Sequence, residues 1–347
     1  MNLIDRMASL DRRWIFLMMG LAVGIPIIVI GITGKTLPEE PTPLAQAAFN
    51  VLDDLDPGSR ILMAWDFDPA SEGELGPMAT SFIRQCAQKG HRMYFIALWP
   101  VGAQMIRSST SRVIGGYYPD LVYGKDWVDL GFKAGNEAVI KTIVTDFDQY
   151  FPTDARGTSV DAIPMMEGIT SLADFDALVN ASAGYPGSKE WVLYAATPLK
   201  KPLIIGCTGV QAPQMYPYVP NQVQGLLGAI KGAAEYESIV NKWVRSEQLL
   251  DALELGGITE PTSSELAARF TENPAEASTW TTEAAAAAMS PEAKTRLIEI
   301  ANAPIPGIFL EAQRRMGPQL VAHLLMIGLI IAGNVIFFAN RRRGVSQ

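Results

Sequence analysis

Two uncharged apolar runs lie near opposite ends of the chain, and together they constrain its fold more than any other feature. Residues 14–32 (WIFLMMGLAVGIPIIVIGI) and 320–338 each approach the ~20 apolar residues that cross a hydrocarbon core as a helix. Arg12 and Arg13 precede the first run, and Arg341, Arg342 and Arg343 follow the second. Basic residues are retained on the cytoplasmic side. The pattern therefore predicts cytoplasmic tails at 1–13 and 339–347, with the intervening chain outside a plasma (inner) membrane. A cleaved signal peptide fits less well, because its apolar core is about 7 to 15 residues long and Gly31-Ile32-Thr33-Gly34 makes a poor cleavage site. The short tails are expected to carry no cytoplasmic domain.

Gly20 and Gly24 form a GxxxG step in the first span, which allows close backbone approach where lipid supplies no hydrophobic drive. The second span carries Gly328 and two polar residues, His323 and Asn334, which are costly in lipid unless they face a partner. These five residues predict helix–helix contacts, either between the two spans or with other membrane subunits or a second copy.

Between the spans the chain reads as globular protein. The chain as a whole, with 48% hydrophobic and 18% charged residues, is too apolar to be disordered. A net charge of −8, with Lys and Arg scattered except beside the spans, excludes the basic stripe that nucleic acid requires. Two cysteines, Cys86 and Cys207, cannot build a multi-bridge disulfide framework or an all-cysteine metal site; a single bridge between them stays open outside the cell, but both fall in expected core elements, which favours buried free thiols. The two histidines, His91 and His323, leave no His-rich metal cluster. No motif identifies a cofactor.

After a Pro-rich linker at 33–58, residues 59–67 (SRILMAWDF) predict a buried strand, 77–89 a helix opened by Pro77, and 91–99 (HRMYFIALW) a second strand. This is the spacing of a right-handed βαβ unit. Further strands are predicted at 127–132, 177–181, 191–195 and 202–210, with helices at 136–151 and 221–255. Near-continuous apolar strands favour a sheet covered on both faces. The expected fold is a doubly wound, mostly parallel α/β sheet of Rossmann-like type over 59–255, with ligands at the carboxyl ends of the strands. Gly225, Gly228 and Gly232 give the last helix a small-residue face, suited to close packing on the sheet or against another subunit. Residues 256–304, rich in Thr, Ser, Glu, Pro and Ala, predict an exposed helical excursion, and 305–319 returns the chain to the membrane.

Three segments could carry chemistry. Asp66 and Asp68, one residue apart at the end of the first strand, could grip a hard cation or present a nucleophile. This resembles the DxD of haloacid-dehalogenase-type phosphatases but departs from it at Ala70, where that motif wants Thr or Val. A second Asp-x-Asp, Asp146 to Asp148, dilutes the signal, and Asp is equally suited to capping turns. In Gly206-Cys207-Thr208-Gly209 a nucleophilic cysteine would need a basic partner, and His91 begins a strand at the opposite end of the sheet. Thr208 and the aromatic-proline loop after it could instead line a crevice. Lys133, ahead of an expected helix start, could help receive an anion, although no GxxxxGK[ST] order is present.

The stretches DFDPASEGELGPMATSFIRQC, YGKDWVDLGFKAG and APQMYPYVPNQVQGLLGAIKGAAEYE resemble a family of uncharacterised prokaryotic membrane proteins with the same span-domain-span layout. The resemblance covers most of the chain outside 256–304 and implies the layout, but no reaction and no catalytic residues. Taken together, the sequence points to a membrane-anchored, non-catalytic module that binds a ligand or partner subunits. The rival is an extracytoplasmic hydrolase, with or without a metal, centred on Asp66 and Asp68.

Overall fold

The computed structural model describes residues 11–342 apart from 35, 38 and 288; the remaining tail residues, Arg343 among them, lie outside the described residues. Two compact units are present: the two terminal helices form one, and Glu39–Leu310 forms the other. The first terminal helix, α1 (Arg12–Thr33), is capped by the Asp11 side chain and closed by Gly34 in the left-handed conformation.

The large unit begins earlier than expected, because the supposed linker contains α2 (Pro43–Asp53). Thr42 caps it, Pro43 occupies the first turn, and Ala45, Ala48, Phe49 and Leu52 form one buried stripe. The chain then alternates through β1 (Arg60–Asp66), α3 (Glu72–Lys89), β2 (Arg92–Ala97), α4 (Gly102–Thr110), β3 (Trp127–Phe132) and α5 (Glu137–Ile143). A π turn, Ser111–Gly115, extends α4. The second half runs through β4 (Ala177–Ser182), α6 (Ser188–Trp191, continued by a π turn at Val192–Ala196), β5 (Leu203–Cys207), α7 (Ala212–Met215), β6 (Gly225–Gly228) and α8 (Ala229–Leu255).

All six strands are parallel in the order β3-β2-β1-β4-β5-β6. This is the doubly wound Rossmann-like order, and it places the topological switch point between β1 and β4. One face packs through Leu62, Tyr94, Val128, Leu178 and Ile205, and rings of Trp65, Phe82, Phe95 and Tyr236 meet in the domain core.

Residues 191–195, expected as a strand, are helical. An apolar run this short does not distinguish the two states, and parallel β4 and β5 need a crossover between them. Glu190 starts the helix by accepting the Gly187 N–H at 2.9 Å. The helix expected at 221–255 gives up its first part to β6, so Gly225 and Gly228 lie on a strand. A Cβ on Gly225 would fall 2.3 Å from the Ala48 Cα, so this glycine lets α2 lie directly on β6. Gly228 and Gly232 meet Ala212 and Leu227 in the same way, so all three small residues are spent on packing within the domain. The helix expected at 136–151 stops at Ile143, and α3 begins at Glu72, with Pro77 inside it.

The excursion is a packed helical layer. Here α9 (Thr262–Glu272), α10 (Ala275–Trp280) and α11 (Pro291–Asn302) close over the end of α8. Leu249, Leu253, Leu266, Phe270, Trp280 and Leu297 make its core. The last helix, α12 (Glu311–Arg342), belongs to the small unit. Both terminal helices are long and apolar enough to cross a membrane. They pack on one another near Ile30 and Gly317, where a Cβ on the glycine would lie 3.1 Å from Ile30 Cδ1. Gly20, Gly24 and Gly328 have nothing within 4 Å of a Cβ, so they stand away from that contact. Asn334 donates to the Ile330 carbonyl of its own helix at 2.9 Å, and His323 is exposed.

Candidate functional site

The switch point is where a doubly wound sheet places its ligands, and Asp66 ends β1 there. Its side chain is fully buried. One carboxylate oxygen accepts the Leu98 N–H at 2.8 Å, and the other accepts Asn180 Nδ2 at 2.8 Å and the Trp191 indole N–H at 2.9 Å. Asn180 in turn accepts the Ser188 hydroxyl at 2.8 Å. Asp66 thus ties β1 to β4, α6 and the residue after β2. Burial raises its pKa to about 7 against the pull of the three donors.

Asp68 points into its own turn, accepting the Ser71 N–H at 2.9 Å. The two carboxylates therefore serve different local structures. Among the described residues no group of three or more His, Cys, Asp or Glu side chains is placed to hold a metal ion. In the first turn of α3, Glu72 pairs with Arg112 at 3.5 Å and Glu74 accepts the Gly209 N–H at 2.8 Å. Carboxylates in a first helical turn complement the helix dipole themselves and oppose the phosphate that a dinucleotide fold would receive there.

Lys133 and Thr208 follow β3 and β5, four strand spacings apart, or roughly 19 Å across the sheet. They share an edge with Asp66 without converging on it. The Lys133 ammonium sits 5.3 Å from the Phe151 ring centre, and burial lowers its pKa. Glu137 opens the helix after it, which disfavours an anion at that turn. The Thr208 carbonyl receives the N–H groups of Gln211 and Ala212 as the chain turns into α7. Cys207 is buried and free, with its pKa pushed up to about 12 by burial, so it is no nucleophile near neutral pH.

A cavity that the motifs did not point to lies beside the edge strand β3, with a volume of about 450 Å3. Asp129 of β3, 6% exposed, borders it together with Arg107 from α4, the π turn, Tyr123, Trp127 and Arg156. One Asp129 oxygen accepts the Gly131 N–H at 2.9 Å, and burial raises the pKa of the acid. The Arg156 guanidinium lies 3.3 Å above the centre of the Tyr123 ring. The Tyr123 hydroxyl donates to Asp154 at 2.7 Å, and Asp154 also accepts the N–H groups of Arg156 and Thr158. The turn carrying Arg156 is therefore fixed from both sides. The sequence signal for this site was Asp129 itself, a charged residue in an apolar strand, WVDLGF.

Comparison with protein-family models, curated proteins and solved structures finds no match for the chain. The geometry alone therefore supports any reading of activity. The switch point holds one carboxylate consumed by structural hydrogen bonds, and the β3 cavity holds two arginines and an acid with donor and acceptor capacity to spare.

Proposed function

We propose that the protein is a membrane-anchored, non-catalytic binding module, a subunit of a membrane assembly whose α/β domain takes up a ligand or partner chains on the extracytoplasmic side. The observation that carries this is Asp66. The carboxylate in the position expected of a reacting group is buried and saturated by Leu98, Asn180 and Trp191, while Asp68 caps a turn. Arg12 and Arg13 before α1, and Arg341 and Arg342 at the end of α12, favour cytoplasmic ends for both helices. The open faces at Gly20, Gly24 and Gly328 would admit a further helix from another subunit or a second copy.

Purification from the native membrane in mild detergent, with sizing and mass spectrometry, tests the assembly. Companion membrane subunits or a defined homo-oligomer are expected. A lone monomer that turns over a substrate would refute the reading. Sidedness is read with Val210→Cys, a position 86% exposed on the domain. An impermeant maleimide added to intact cells should label it, with little background because Cys86 and Cys207 are buried.

A further inference from the structure

We propose that the cavity beside β3 is a binding site for a small amino or 2-hydroxy carboxylic acid with an apolar side chain. This deepens the ligand-binding half of the reading above and rests on it only there. Acids on the inner face of an edge strand commonly keep that edge from pairing. Here the edge is already covered, since the Ala155 N–H donates to the Asp129 carbonyl at 2.8 Å. Edge protection therefore does not account for Asp129. Burying a carboxylate is costly without compensation, yet among the described residues no Lys or Arg lies within the 4.0 Å of an ion pair with it.

Arg107 and Arg156 are likewise outside any such pair among the described residues, although both act on Asp129 through space and favour its charged form. Arg156 is stacked on Tyr123, so much of its rotamer freedom is lost before a ligand arrives and its forked donors stay open to a carboxylate. The rest of the wall is mainly apolar, with Ile114, Leu121 and Trp127, beside the hydroxyls of Thr110 and Ser111. A ligand fitting all three features places its carboxylate on the arginines, its ammonium or hydroxyl on Asp129, and its side chain against Trp127. The volume lies in the range of small-molecule sites, roughly 300–1,000 Å3. The π turn lining one side is a local irregularity of the kind that recurs at functional sites.

Calorimetric titration of the full chain in detergent tests this with L-phenylalanine and 3-phenyllactate, and with two truncated probes. 3-Phenylpropionate lacks the donor and phenethylamine lacks the carboxylate. Saturable binding of either full probe is expected, with each truncated probe about tenfold weaker or more. Arg107→Gln and Arg156→Gln alter exposed side chains and should fold with melting temperatures within a few degrees of wild type, Arg156→Gln losing only an exposed stack, while losing about tenfold or more in affinity. Asp129→Ala, which leaves no acceptor on the strand, should bind phenyllactate no better than phenylpropionate. Failure of both full probes to bind, or binding unchanged in the arginine variants, would overturn the inference. Equal binding of phenyllactate and phenylpropionate to the wild type would overturn the role of Asp129. Co-purifying subunits report on the assembly and the titration on the cavity, so either reading can fail without the other.

Discussion

Asp66→Asn should lower stability by a constant amount, because its NH2 faces a donor where the carboxylate accepts, and should also remove a pH dependence of stability. The folded carboxyl has its pKa raised from 3.8 to about 7, with burial the largest cause and the donors from Leu98, Trp191 and Asn180 opposing it. Between those two values the folded protein holds a proton that the unfolded chain has released. The stabilisation from that proton is complete below about pH 4 and is lost as the pH rises through about 7. At 1.36 kcal/mol per pKa unit, the loss comes to about 4 kcal/mol. Asparagine matches the acid in shape but does not titrate, so the bonds its NH2 fails to accept add an offset that does not vary with pH. The advantage of the wild type over the variant should therefore shrink by about 4 kcal/mol between pH 4 and pH 8, or roughly 8–16 °C in melting temperature for a domain of this size. Asp129 is also raised, and Asp154 and Asp174 are lowered, but these groups are common to both proteins and drop out of the difference. Thermal unfolding in detergent, followed by tryptophan fluorescence across that pH range, measures it. A gap that stays constant or widens with pH would refute the reasoning, because the three donors would then hold the folded carboxylate ionised.

Burial raises the pKa of both cysteine thiols, so a thiol reagent at pH 8 should modify Cys86 and Cys207 only as fast as the domain unfolds; fast labelling of the native protein would contradict their burial. Gly225→Val would drive a side chain into the Ala48 backbone and should cost about 1–3 kcal/mol or more, measured by denaturant unfolding; a neutral result would show that α2 does not rest on β6. Glu235 accepts from the Thr42 backbone N–H and hydroxyl and pairs with Lys231 at 3.1 Å, so Glu235→Gln should cost about 1–3 kcal/mol and speed hydrogen exchange at the Thr42 amide. Half-exposed Lys231 supplies little of that.

The periodic, strongly apolar elements were legible from residues alone. Strands β1 to β5, the βαβ spacing and the two terminal helices follow from run length and flanking charge. The misreadings share a physical cause. At 191–195 and 225–228 the local pattern is neutral between helix and strand, and the decision is made by tertiary demands: a crossover is needed between β4 and β5, and a glycine-bearing strand is needed beneath α2. Asp66 was found by position, but its particular structural role was not legible. Its partners Leu98, Asn180 and Trp191 come from three distant segments, and no spacing in the sequence announces them. The β3 cavity was missed because it follows no motif. It forms where a strand, a π turn and a loop over residues 154–158 meet.

The same reasoning applies to α8, the longest helix of the domain, whose long-range hydrogen bonds explain how a single domain can be inserted between two helices that pack on each other. Glu235 holds Thr42, where the chain comes into the domain, and Ser238 donates to the Glu39 carbonyl at 3.4 Å. Asn241 donates to the Phe309 carbonyl at 2.7 Å, just before the chain leaves. Arg84 donates to Asn241 and lies over the Phe309 ring at 4.0 Å, locking the same point. Residues 235, 238 and 241 follow one face of the helix at three-residue steps, so the two chain ends are held within ~9 Å of helical rise. A domain spliced into a helical hairpin needs its termini close together. Here that closeness is built from polar side chains on a buried helix face, where each unmade hydrogen bond would be costly, and it does not depend on the length or composition of the connecting segments.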